Sequence, residues 1–264
     1  MVTPAFNGAP TIGRTLASVR DQDYPGIEHV VVDGGSTDGT QEILRQAGVR
    51  FISEPDDGLA DAMNKGIAMA SGDWVGWLNA DDVYLPGAFR AVGDAAAGDP
   101  GARWITGRCP IVDGEGVEIR RPITAYKNWL LRHYTFGLYL TQNFVSCPAT
   151  FMRRDALAAV GPIDKRYRYS MDYDLFLRLA RSWDPVILDR DLATFTMEEG
   201  SLSMSGFESQ FAEHLEVARR HGGGHRAALV GNRVMSTVIV SVYQLMRRRR
   251  RGRQATSAGP SGSP

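Results

Sequence analysis

Only two cysteines, Cys109 and Cys147, occur in the 264 residues. That scarcity excludes a disulfide framework or a thiolate zinc cluster and fits a reducing cytoplasm. Charge of one sign is also lacking: 30 Lys plus Arg stand against 30 Asp plus Glu, so no overall field points to a nucleic-acid partner. Five histidines are scattered with no partner at ligand spacing. His214 reads as an exposed helix residue, and His221 and His225 flank three glycines, so surface or linker roles are expected of them. The start of the chain offers no apolar signal segment, because Pro4, Asn7, Gly8 and Pro10 interrupt it. The glycine-rich turn after Asp33 is not followed by Gly-Lys-Ser/Thr and does not spell G-x-G-x-x-G, which excludes a Walker loop and a dinucleotide fingerprint. No internal repeat is present.

What is there reads as an ordinary globular protein, 43% apolar and 23% charged, with a length that buries a full core. The first half alternates short apolar runs with helical patterns. Val2 opens a stub of strand ending at Thr3-Pro4, Pro10 to Arg20 is helical, and His29 to Asp33 is a buried strand. Helices are expected over Thr40–Gln46 and Leu59–Ala70, and strands over Val49–Ser53 and Trp74–Leu78. This alternation predicts an α/β fold, a mostly parallel sheet covered by helices, with ligands beyond the carboxyl ends of the strands. The polar clusters fall at those ends. Beyond Gly107 the pattern loosens. Trp104–Val112 and Gly116–Ile119 suggest a hairpin, an aromatic stretch runs from Tyr126 to Phe144, and Asp172–Ser182 is a firm amphipathic helix. Past Gly206 the chain reads as helical. Four parts are expected: 1–106, 107–205, helices over 206–253, and a small, polar, disordered tail over 254–264.

Three clusters carry chemistry. Asn79-Ala-Asp-Asp82 follows a Trp-rich strand, and two adjacent acids at a strand end repel unless a cation or hydrogen-bond donors compensate. A hard divalent ion bridging carboxylate and diphosphate would do so; a solvated, capping turn is the plain alternative. Asp33-Gly-Gly-Ser-Thr-Asp-Gly-Thr40 lets backbone approach a ligand and offers Asp and Ser to a base or ribose, or else it is a capped turn. Met171-Asp-Tyr-Asp174 heads a helix, where a carboxylate either caps the dipole or acts as a general base.

Together these clusters, with Val2-Thr-Pro-Ala-Phe-Asn7, Ser53-Glu-Pro-Asp-Asp-Gly58, Asp61-Ala-Met-Asn-Lys-Gly66 and Pro148-Ala-Thr-Phe151, resemble the family 2 glycosyltransferases of the GT-A fold over roughly residues 1 to 200. The resemblance implies that Thr3, Pro4 and Ala5 line a nucleotide base and Asp33 bonds base or ribose. It implies Asp57, Asp61 and Lys65 near ribose and phosphates, and Asn79 and Asp81 at the two ends of the family's D-x-D. Mg²⁺ or Mn²⁺ would lie at Asp81 and Asp82. Asp172 matches the catalytic base of an inverting transfer from a nucleotide-diphosphate sugar, a UDP-sugar by expectation, to an acceptor hydroxyl. Three departures stand out. Asn79 replaces the first acid, Met171 replaces the usual glutamate, and the first strand lacks several apolar residues, so either the start lies upstream or the central strand is frayed.

The reading is therefore a transferase of polysaccharide or glycoconjugate assembly with a glycan or lipid-linked acceptor. The alternative is a degenerate protein that binds a nucleotide sugar without turnover. A nucleotidyltransferase would need a basic, glycine-rich loop after the first strand, and Asn7-Gly-Ala-Pro10 offers none. Trp129, His133, Tyr134 and Tyr139 are candidates for an acceptor floor or for core, and Cys147 for inert packing. Ala227 to Met246 is mostly apolar but broken by Asn232 and Arg233. It reads as a helix on the inner face of the plasma membrane, held by Arg247 to Arg251, or as one packed on this domain or on a homodimer partner.

Overall fold

The computed structural model describes residues 1–197, 207–239 and 241. Its centre is a mixed sheet. Strands β1 (Val2–Ala5), β2 (Val30–Asp33) and β3 (Arg50–Ser53) pair in parallel. The strand β4 (Trp74–Gly76) joins β1 through a parallel Val2–Trp77 bridge and a 3.1 Å bond from the Leu78 N–H to the Val2 carbonyl. The first strand is thus short but not frayed: all four of its residues are buried between β2 and the Trp77 segment.

Helices α1 (Ile12–Arg20), α2 (Thr40–Ala47) and α3 (Leu59–Met69) are the crossovers of this parallel half. They cover both faces of the sheet, and β2 accordingly reads Val-Val-Val-Asp with every residue buried. Contact with α3 is closest at Gly66, where a β-carbon would overlap Cγ1 of Val2 and lie 3.3 Å from Cγ2 of Val32.

A short strand β5 (Val83–Tyr84) and helix α4 (Ala88–Gly98) lead to β6 (Trp104–Arg108) and β7 (Ile111–Val112). The single strand expected over Trp104–Val112 is two, because the ladder slips between Gly107 and Arg108 and Pro110 has no N–H to continue it. Of the hairpin partner expected at Gly116–Ile119, one bridge, Val112–Glu118, remains. The aromatic stretch is helical: α5 (Arg121–Arg132) and α6 (Phe136–Thr141), the latter capped by the Thr135 hydroxyl accepting from the Leu138 N–H.

After a 3₁₀ turn at Cys147–Ala149, β8 (Thr150–Arg153) enters the sheet antiparallel between β4 and β6. Helices α7 (Arg154–Val160) and α8 (Met171–Ala180) follow, then β9 (Val186–Asp191), parallel to β6. The order is therefore β3-β2-β1-β4-β8-β6-β9, with β8 alone reversed. The boundary expected after residue 106 falls within β6. A second small sheet, β5-β10-β7, is built on β10 (Ala193–Thr196).

Beyond it, α9 (Phe207–His221) and a helix over 226–239 pack on α6 and α8. Asn232, expected to interrupt an apolar helix, is buried and donates to the Leu140 carbonyl at 2.9 Å, while Val230, Val234 and Val238 face outward. Among the described residues no helix is long and apolar enough to cross a membrane. The Arg247–Arg251 run and the 254–264 tail lie outside the described residues.

Candidate functional site

The carboxyl ends of β1, β2, β3 and β4 open on one edge of the sheet. Two loops floor it, and they are laced together. The Asn7 amide donates to Ser36 Oγ at 2.7 Å, and Asn7 Oδ1 accepts from the Thr37 amide at 3.0 Å. The Gly8 amide donates to Thr40 Oγ1 and the Ala9 amide to Asp38 Oδ2, both at 2.9 Å. Asn7 takes a left-handed φ of 50° to make this turn, which Asn tolerates better than most residues.

Asp33, at the end of β2, is fully buried. Its Oδ2 accepts from the Ser36 amide at 3.0 Å and Ser53 Oγ at 2.6 Å, and its Oδ1 from Ser36 Oγ. Thr3, expected beside a base, is buried and pairs through Oγ1 with His29 Nε2 at 2.9 Å. Burial, and then the nearby N-terminal ammonium, lower His29 to about 3, so its ring is neutral. Pro4 and Ala5 are buried beside it. The sequence reading missed Phe6. Its ring is 67% exposed at the end of β1 and lies against Gly34, where a β-carbon would be 3.4 Å from Cδ2. An aromatic residue at a strand end opposite a glycine was the available signal.

A second cluster flanks this floor. Lys65 pairs with Glu54 at 2.8 Å and Asp61 at 3.3 Å, and donates to the Pro55 carbonyl. Lys165, from the loop before α8, clasps Asp57 at 2.9 Å and Asp61 at 3.0 Å. Asp57, Asp61 and Lys65 thus come together, and Lys165 joins them from 104 residues beyond Asp61, out of the reach of local pattern.

At the end of β4 the two acids part. Asp81 is half-buried, and its backbone carbonyl accepts from Thr196 Oγ1 at 2.6 Å. Asp82 turns inward and is fully buried. Its Oδ1 accepts from the Thr196 amide at 2.8 Å and its Oδ2 from Asn79 Nδ2 at 3.0 Å. Burial first, and then the neighbouring Asp81 charge, push the Asp82 carboxyl well above the usual range. Expected as a metal ligand, it ties β10 to the strand end in this structure. Asn79 is committed as well, its Oδ1 accepting from Trp77 Nε1 at 2.9 Å. Thr15 Oγ1 holds the backbone of this turn from below through the Ala80 and Asp82 carbonyls.

Asp172 sits in the first turn of α8. Its Oδ1 accepts from the Tyr173 amide at 2.7 Å, whereas Oδ2 has only a 3.5 Å contact from Asn143 Nδ2. Burial raises its carboxyl against these hydrogen bonds and the Lys127 charge, which lower it. Tyr139 donates to Asn143 Oδ1 at 3.1 Å and is itself core, while Trp129 is 52% exposed and tilts over His133 at 4.6 Å. Cys147 lies on the 3₁₀ turn, which packs against β4, β5 and β10. Burial raises its thiol well above the usual range, so it stays protonated and packs, as expected. That turn thus backs the donor-side strand end.

The remaining acid of the helix, Asp174, points into the core, where it accepts from Arg178 Nε at 2.9 Å and His221 Nε2 at 2.8 Å. His221 is therefore no linker residue. Nor is His214 exposed: it packs edge-on to Tyr173 at 5.4 Å, and burial lowers it to about 4. Both corrections arise from α9 folding back onto α8.

No group of three or more His, Cys, Asp or Glu side chains forms a protein cage for a metal among the described residues. A hard cation that keeps waters and diphosphate oxygens needs only one or two carboxylates. Asp81, at the open strand end beside the laced loops, fits that donor set.

Comparison with known proteins gives the following. The model of the family described as glycosyl transferase family 2 matches residues 1–161, which includes every donor-side cluster and stops short of Asp172. An uncharacterised glycosyltransferase of Mycobacterium tuberculosis is 33% identical over 74% of this chain and 73% of its own. A PGL/p-HBAD biosynthesis glycosyltransferase of Mycobacterium bovis is 27% identical over 95% of this chain and 97% of its own. Among solved structures, a mannosyltransferase from Pyrobaculum calidifontis in complex with GDP-Man and Mn²⁺ superposes with a TM-score of 0.67 at 17% identity, covering 97% of this chain and 82% of that one. S. aureus TarS 1-349 in complex with UDP-GlcNAc gives 0.65 at 17%, covering 83% and 65%. The chain spans 38% of the longer S. aureus TarS structure.

Proposed function

The chain belongs to glycosyl transferase family 2 and has the GT-A fold, and from that premise we propose that it is an inverting, divalent-metal-dependent transferase using a nucleotide-diphosphate sugar, a UDP-sugar first among them. The carboxyl-end edge of the sheet, where the laced loops after β1 and β2 and the Asp81 turn lie together, carries this reading.

The donor base would stack on Phe6 over the laced loops, with Thr3, Pro4, Ala5 and Asp33 as the wall behind it. Asp57, Asp61 and Lys65 would meet ribose and phosphates. Asp81 would hold Mg²⁺ or Mn²⁺, with Asp82 and Asn79 bracing the turn, and the ion would supply charge neutralisation for the leaving diphosphate. Asp172 Oδ2, the less engaged oxygen, takes the proton from an acceptor hydroxyl. Its raised pKa brings it nearer the working pH, which favours a general base. Direct displacement then needs alignment and no covalent intermediate.

The acceptor we favour is a glycan or lipid-linked sugar in polysaccharide or glycoconjugate assembly, in keeping with the PGL/p-HBAD biosynthesis in the name of the mycobacterial relative. Val230, Val234 and Val238 recur every fourth residue on the outer face of the last described helix. With the Arg247–Arg251 run they suit a peripheral site on the inner face of the plasma membrane; a homodimer face is the competing use. The commitment of Asn79 to Trp77 and Asp82 favours one second reading, a donor-binding protein without turnover.

The test is donor hydrolysis and transfer with Mn²⁺. Asp172→Asn is expected to lose ~10²–10⁴-fold in rate while keeping nucleotide affinity. Asp81→Ala is expected to lose the Mn²⁺-dependent rise in melting temperature with UDP. If both variants match the wild type, the site is wrong; if UDP binds and nothing turns over, the second reading stands.

A further inference from the structure

The helix that carries the base is held at its head by a residue of another helix. α8 begins at Met171, and its N-cap, Ser170, makes no cap bond with its side chain. The carboxylate of Glu213, on α9, instead takes the backbone that runs into α8. Its Oε2 accepts from the Tyr169 amide at 2.7 Å and the Ser170 amide at 3.0 Å, and its Oε1 from the Arg168 amide at 3.2 Å. Amide bonds to a carboxylate are charge-assisted and belong to the strong class. The Ser170 carbonyl in turn accepts from the Asp174 amide at 3.0 Å, the first bond of the helix. The chain from Arg168 to Asp174, with Asp172 inside it, is thereby tied in one piece to Glu213.

The spacing on α9 serves this one face. Glu213, Val217 and His221 recur every fourth residue; Val217 is fully buried, and His221 Nε2 meets Asp174 at 2.8 Å. Arg220 adds a 2.9 Å pair with Asp164. The far end of the same loop is pinned on the donor side. Asn64 of α3 donates to the Ile163 carbonyl and accepts from its amide, both at 2.9 Å, and Lys165 clasps Asp57 and Asp61. Glu213 holds the end nearest the base.

We propose that Glu213 is a positioning residue for the transfer: by holding the amides of Arg168, Tyr169 and Ser170 it sets where the first turn of α8, and with it the Asp172 carboxylate, stands. The shortest bond Asp172 makes is from the Tyr173 amide of that same turn, so the carboxylate moves with the backbone. A reacting group misplaced by about an ångström loses up to about 10²-fold in rate. This inference rests on Asp172 being the base.

One arm of the test needs no turnover. Hydrogen exchange at the Tyr173 and Asp174 amides of the full chain is expected to quicken about tenfold in Glu213→Ala. It should stay near wild type in Glu213→Gln, whose carboxamide oxygen still takes the two amides that share Oε2. In UDP-glucose hydrolysis with Mn²⁺, Glu213→Ala is expected to lose about 10–10²-fold in kcat with KM little changed, and Glu213→Gln to recover most of it. Adding Glu213→Ala to Asp172→Asn should cost nothing further, because a residue that acts through the base has no effect once the base is gone. Strict additivity in that double variant overturns the proposal, and so does unmoved exchange at Tyr173 and Asp174. If Glu213→Ala does not fold, Glu213→Asp, one methylene shorter, replaces it with the same two outcomes. Wild-type hydrolysis by Asp172→Asn sinks the base assignment and the proposal with it. An inactive Asp172→Asn with unmoved exchange in Glu213→Ala sinks the Glu213 role alone.

Discussion

Replacing Asp82 by alanine separates two readings of the acidic pair. As a metal ligand, Asp82 would change Mn²⁺ dependence and leave the fold alone. As the inward tie seen here, its loss strands two buried donors, the Thr196 amide at 2.8 Å and Asn79 Nδ2 at 3.0 Å. An unsatisfied buried donor costs roughly 1–3 kcal/mol, so two cost about 2–6 kcal/mol. Removing a carboxyl that burial and Asp81 disfavour returns part of that. The net expectation is a loss of about 2–4 kcal/mol, or about 5–15 °C in melting temperature for a chain of this size. Asp82→Asn retains an acceptor for Thr196 and is expected to lose less than half as much. The pH sign is also fixed. The folded-state pKa of Asp82 is raised, so its contribution to stability is full below its unfolded value near 4 and declines as pH climbs toward the folded one. Asparagine has no such decline, so the deficit of Asp82→Asn should shrink from pH 5 to pH 8. Melting curves across that range, without metal, are the assay. An Asp82→Ala protein that melts within a degree or two of wild type refutes the inward tie.

Three further outcomes are expected. Gly66→Ala should cost about 1–3 kcal/mol by overpacking α3 on β1, and Val2→Ala should relieve it, so a denaturant double-mutant cycle should be non-additive. Strict additivity would mean the helix and strand are not in the contact described. Asp174→Ala should cost about 3–5 kcal/mol by leaving Arg178 and His221 without their buried acceptor. Burial opposes the charge of Asp174, but His221 and Arg178 outweigh it and lower its pKa, so that stability is present above pH 4 and is lost on acidification; acid melts of the variant should be flatter than wild type. Phe6→Ala should weaken UDP binding by about 1–3 kcal/mol in calorimetry with no change in melting temperature, because the ring is exposed. An unaltered affinity would place the base elsewhere.

The strand-end clusters were legible because alternating elements dictate where a parallel sheet binds, and each cluster closes an apolar run. Asp33 and Asp81 lie where that rule puts them, whereas Asp61 and Lys65, on α3, were marked by the family resemblance. What local pattern could not give was direction and distance. Two adjacent acids look alike in sequence, and only the arrival of Thr196, 114 residues on, decides that Asp82 turns inward. Lys165 and His221 likewise acquire their roles from partners 104 and 47 residues away. The aromatic stretch hid two helices because its large residues are core on one side and solvent-facing on the other, with Pro122 opening the first.

The lacing of the loops after β1 and β2 makes them a single unit for exchange and for engineering. Four bonds cross between Asn7–Ala9 and Ser36–Thr40, each with one backbone amide as donor and a side-chain oxygen opposite as acceptor. Amides in both loops should open together in hydrogen exchange, as one cooperative patch rather than two fraying turns. Transplanting a relative's loop to alter nucleotide preference would then succeed only as a matched pair, since either loop alone arrives without the other's acceptors.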